Sequence, residues 1–172
     1  MQMNYKIHAT TLNDLKQLLT RLSVEQMTIS INALSGSSIG QHFRHIVEFY
    51  ICLFNQLQTK IINYDLRKRN NTLETNPIAC IMVIDEILSC FKNLKCSQLE
   101  KNHHLELQTC FHLTGEETQI ITTSLPRELT YCLDHCLHHQ HFIKIGLIEQ
   151  GLGNFIHSDF GIAFSTLKHL NS

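Results

Sequence analysis

Apolar side chains recur at three- and four-residue steps through Leu15, Leu18, Leu19 and Leu22, which predicts a helix capped by Thr11 or Asn13 and fraying near Met27. The Ser- and Gly-rich stretch Asn32 to Ser38 reads as a loop. Ser37 or Ser38 can cap a longer second helix reaching about Ile62. The stripe of that helix runs from Ile39 and Phe43 through Ile46, Phe49, Tyr50, Leu53, Phe54 and Leu57 to Ile61, wide enough to face a core, with His42 and His45 on its edge. Asn63 to Asn76 has no helical stripe and reads as a connector. Pro77 can then open a third helix carried by Ile78, Ile81, Met82, Ile84, Ile87, Leu88 and Phe91.

Between His103 and Ser124 the period shortens. Leu105, Leu107 and Thr109 alternate with polar residues, Thr114-Gly115 punctuates, and Gln119 to Thr123 is rich in β-branched residues, which predicts a short hairpin. Ser124, Pro126 and Glu128 together mark the start of a fourth helix running to about Gln150, where Gly151 and Gly153 stop it. Ser158 or Asp159 can cap a short last helix through Ile162, Phe164, Leu167 and Leu170. The expected fold is all-α: one domain over residues 1–172, a four-helix bundle with a short β-hairpin insertion and a short C-terminal helix.

Composition narrows the function classes. Lys and Arg number 14 against 15 for Asp and Glu, a formal charge of −1, so no broad field attracts nucleic acid or anionic lipid. No run of about 18 apolar residues could cross a membrane, and Met1 to Thr10 lacks a basic-then-apolar signal pattern, so the expected location is the cytoplasm. Seven cysteines form no CxxC pair, and they read as small buried hydrophobes in a reducing compartment. Cys132 and Cys136, flanking His135, are candidate ligands with core packing as the plainer alternative.

Histidine is in excess: twelve in all, with His135, His138, His139 and His141 close together. Residues four apart on a helix differ by about 40° around its axis, so His135 and His139 point the same way from adjacent turns. Two neutral imidazoles so placed can share a divalent ion such as zinc or nickel, with iron or manganese as further choices. A third nitrogen would come from the second helix, where His45 is the candidate and His42 its competitor. The bland alternative is that one turn of HxxxH arises by chance and its imidazoles merely pack.

Three segments together resemble the DinB-like superfamily, also called DinB/YfiT. They are Ser38-Ile39-Gly40-Gln41-His42-Phe43-Arg44-His45-Ile46, then Asn63-Tyr64-Asp65-Leu66-Arg67-Lys68-Arg69, then Asp134-His135-Cys136-Leu137-His138-His139. The resemblance implies a four-helix bundle, often dimeric, with His45, His135 and His139 as metal ligands. It favours His45 over His42, although Arg44 departs from the small or apolar residue usual at that point. Characterised relatives include thiol transferases. It therefore implies a metal-dependent hydrolase or thiol transferase acting on a small molecule, in some relatives a thiol. The alternative is a non-catalytic metal- or ligand-binding stress-response bundle. No catalytic residue is assigned; His42, Glu48, Tyr64, Arg67, Arg69, Asp134 and His138 are candidates for supporting the ligands or holding the small molecule.

Overall fold

The computed structural model describes residues 5–96, 104–112 and 117–170. Its first helix, α1 (Lys6–Leu19), starts before the expected caps. Thr11 and Asn13 lie inside it, their side chains donating back to Ile7 O and Ala9 O one turn earlier. Ser23 then opens a separate helix, α2 (Val24–Thr28), through a capping box with Gln26. A second capping box, Ser38 with Gln41, starts α3 (Ile39–Gln56).

α3 ends at Gln56 rather than near Ile62, because the chain turns through left-handed Lys60 (φ 61°) into a two-residue strand, β1 (Ile61–Ile62). Gln56 fastens that turn: its Nε2 donates to Asn63 O at 3.1 Å and its Oε1 accepts from Asn63 N at 2.6 Å. Asn63 Oδ1 in turn accepts from Asp65 N and Leu66 N, closing a 3-10 turn over Tyr64–Leu66. The expected connector is thus folded, and it goes on through α4 (Thr72–Thr75) before Pro77 opens α5 (Pro77–Cys96).

Strands β2 (His104–Cys110) and β3 (Thr118–Ser124) pair antiparallel, with Leu107 opposite Ile121. The expected turn at Thr114-Gly115 lies outside the described residues. β1 adds parallel to the outer side of β2, giving the order β1-β2-β3. Ser124 Oγ accepts from Arg127 N to cap α6 (Leu125–Glu149), and α7 (Phe164–Leu170) begins later than its expected caps.

The architecture is therefore not the all-α four-helix bundle that the pattern and the DinB-like resemblance imply. Among the described residues it has seven α-helices and an open three-stranded sheet. Two short polar signals cause the difference: Ser23-Gln26 splits the first helix, and the Gln56–Asn63 clasp pulls Ile61 and Ile62 off the second helix into a sheet.

The core lies between α3 and α6, where Phe43, Ile46, Tyr50, Leu53, Leu129, Cys136, Ile143 and Leu147 are buried. Each large apolar side chain placed there stabilises the fold by roughly 1.5–3 kcal/mol. α5 contributes Cys80, Ile84, Ile87 and Phe91, whereas Ile78 and Met82, expected on its inner stripe, are 70% and 68% exposed. α1 contributes Leu12, Leu15, Leu18 and, unusually, His8, which is 2% exposed.

His8 Nδ1 lies 3.0 Å from Tyr50 Oη, and burial pushes the imidazole down to about 4. The unfolded chain, with a value near 6.5, takes up this proton first as pH falls. The stability contributed by neutral His8 is therefore complete above about pH 6.5 and lost between there and pH 4, about 3 kcal/mol in all. Urea melts of wild type and His8→Phe should differ by that much less at pH 4 than at pH 7; a pH-independent difference would show that His8 does not carry the effect.

Candidate metal centre

His45 projects from α3 and His135 and His139 from α6, on the faces where these helices pack. Their ring centroids are 4.9 Å (His45–His135), 4.5 Å (His45–His139) and 4.6 Å (His135–His139) apart. One nitrogen from each lies within 4.8 Å of the other two. Zinc–imidazole bonds of about 2.0–2.1 Å put donors about 3.3 Å apart in a tetrahedral site, a contraction that small ring rotations can supply.

The surroundings fit an ion. His135 Nε2 is buried with no hydrogen-bond partner among the described residues, an orphaned ring nitrogen that a metal would satisfy. All three imidazoles are held neutral, the form that ligates. Burial, then His135, Arg67, Arg44 and His42, bring His45 down to about 4; burial, then His138 and Arg67, bring His135 to about 4. His139, at the centre, is lowest, pushed to about 2 by burial and by His135, His45, His42 and His138.

His42 and His45 compete on sequence; the structure places His45 in the cluster and His42 beside it, against His139. His42 Nδ1 lies 2.9 Å from His139 Nδ1, its Nε2 is buried without a partner, and its ring stacks on Phe142 at 5.1 Å. Phe49 forms the other wall, 4.2 Å from the His135 ring and 4.9 Å from that of His45. Cys132 and Cys136 belong to the core instead. Both are buried, and burial raises both thiols, Cys132 to about 12, which keeps them protonated.

The remaining candidates have separate places. Glu48, 5% exposed, accepts from Asn70 N at 2.7 Å and faces two guanidiniums, Arg44 Nε at 3.8 Å and Arg67 Nε at 3.9 Å. Arg67 also lies over the Phe49 ring at 5.1 Å, so it reaches the triad only through that wall. Tyr64 is buried and donates to Glu128 Oε2 at 2.9 Å. His138 is exposed beside Phe142, and Arg69 and Asp134 are exposed with no hydrogen bond to the triad.

Two contributors escape sequence reasoning. Phe49 reads as one more apolar stripe residue, and Glu128 as an acid in the first turn of a helix. Glu128 is in fact 3% exposed and clasped by two hydroxyls, Thr123 Oγ1 at 2.5 Å and Tyr64 Oη.

No family model and no solved structure matches the chain. It is 33% identical over 110 residues to FK506-binding protein 5 of Rhizopus delemar, a match that covers 64% of this chain. The chain spans only 28% of that protein. The resemblance to DinB-like proteins accordingly rests on motifs. The expectation of a metal-dependent hydrolase or thiol transferase depended on the DinB-like four-helix bundle, and it falls with that fold, which the seven-helix and three-strand architecture does not match. A clustered histidine triad with the capacity to bind a divalent ion stands. Among the described residues no helix is long and apolar enough to cross a membrane.

Proposed function

We propose that the protein is a non-catalytic metal-binding protein whose divalent ion is held by His45, His135 and His139, with His42 closing the cage as fourth imidazole. The observation that carries the ion is the convergence of one nitrogen each from His45, His135 and His139 within 4.8 Å, and His42 is brought to it by its Nδ1, 2.9 Å from His139 Nδ1. A site with four protein ligands leaves no open position for substrate, which separates structural from catalytic zinc centres. The motif likeness to DinB-like proteins supports His45, His135 and His139 in that set.

Zinc or nickel suits four neutral nitrogens better than manganese, which binds such donors more weakly. The bound ion would tie α3 to α6, adding its binding free energy to the fold. Cobalt(II) reports the coordination directly. The wild type should take up one equivalent, show the intense visible bands of a four-coordinate ion, and keep that spectrum when azide is added. His42→Ala should bind cobalt roughly 10- to 100-fold more weakly, and its spectrum should shift with azide. An azide-induced shift in the wild type would overturn the closed cage, and no cobalt uptake would overturn metal binding itself.

A further inference from the structure

The cleft of about 620 Å³ between α3, the 66–70 segment and α5 lies apart from the histidines, and its size falls in the range of small-molecule sites. Its apolar surface comes chiefly from Ile51, Leu66 and Val83. Charge is divided across it. One wall brings Arg67 and Lys68 from the segment after the Tyr64 turn; the facing helix α5 brings Glu86.

The pairing of these charges decides what the cleft can hold. Glu48, also in the lining, is occupied by Asn70 N and by the two guanidiniums, and Glu74 pairs with Arg44 at 2.9 Å. Lys68 and Glu86 are exposed and make no hydrogen bond or ion pair with a described residue. Arg67 is already engaged, its Nη1 donating to Tyr64 O at 3.1 Å and its Nε facing Glu48 Oε2 at 3.9 Å. The cleft therefore offers one unpaired ammonium, Lys68, on one side, an unpaired carboxylate, Glu86, on the other and aliphatic carbon between them. A plain anion would meet Glu86, and a plain cation would meet Lys68 and Arg67. A molecule with both charges and an aliphatic body meets neither conflict.

We infer that this cleft binds a small aliphatic zwitterion, an amino acid or short peptide with a branched side chain, its carboxylate toward Lys68 and its ammonium toward Glu86. No triad histidine lines the cleft.

Amide chemical-shift titrations with L-leucine test it, beside 4-methylpentanoate, which lacks the ammonium, and 3-methylbutylamine, which lacks the carboxylate. Leucine should shift residues of α3, the 66–70 segment and α5, and each half-charged analogue should bind at least tenfold more weakly. Lys68→Gln and Glu86→Gln, both on exposed side chains, should each weaken leucine by about tenfold and leave the cobalt spectrum unchanged. Absence of leucine shifts in this cleft, or equal binding of either analogue, would overturn the inference. Either result could coincide with full cobalt uptake, so the failure of this site and the failure of the metal cage are told apart.

Discussion

His139→Ala should abolish stoichiometric metal binding, with affinity reduced at least about 100-fold, beyond the usual effect of a supporting residue. His139 is the hub: its ring is 4.5 Å from His45 and 4.6 Å from His135, and its Nδ1 is 2.9 Å from His42. Its removal leaves His45 and His135, 4.9 Å apart, without the imidazole that joins them to His42 and with too few nitrogens for a stable site. The readouts are metal content and the rise in melting temperature on adding zinc. An ion at 1,000 times its Kd stabilises a protein by about 4 kcal/mol, and that increment should vanish in the variant. His138→Ala, removing the exposed neighbour, should retain it. Full zinc content in His139→Ala would exclude the cage.

Gly40→Ala should be the most damaging alanine substitution among the described glycines. A Cβ there would lie 2.0 Å from Glu74 O, 2.8 Å from Glu74 C and 2.9 Å from Met27 O. These are backbone atoms of α4 and α2, so no side chain can swing aside. Overpacking costs about 1–3 kcal/mol where side chains can adjust, and here about 3 kcal/mol or more is expected. The displaced α4 would also strain the Arg44–Glu74 ion pair. Gly151→Ala is the control: its φ of +73° disfavours a side chain, but nothing lies within 4 Å, so a cost of about 1–2 kcal/mol is expected. Urea denaturation of both variants measures the difference; equal losses would show that the close approach at Gly40 is not what the site requires.

The triad was legible because helical spacing is a strong local rule and histidine is scarce enough for its excess to stand out. His135 and His139 needed only the period; His45 needed a packed partner helix, which the motif resemblance supplied. Other roles depended on partners remote in sequence. Tyr64, a candidate for contacting a small molecule, is turned inward by Glu128, 64 residues away. Arg67 and Glu48 could be recognised as charged, but not as an ion pair separated from the triad by Phe49. The fold was misread where short polar contacts outweighed a long apolar stripe. Ile61 continues the stripe of α3 in sequence, yet the Gln56 amide bonds to both backbone groups of Asn63 and turns it into the sheet. A two-residue parallel strand carries almost no periodic signal of its own.

The clasp on Glu128 has a further consequence. It anchors the first turn of α6 to β3 through Thr123 and to the turn after β1 through Tyr64. Helix α6 is thereby held in rotational phase by the sheet, well before His135 is reached. Each residue of a helix advances the azimuth by 100°. A single residue inserted between Glu128 and His135 would leave the helix intact and swing His135 and His139 away from His45 together. The small sheet thus acts as the indexing mark that decides which face of α6 meets α3.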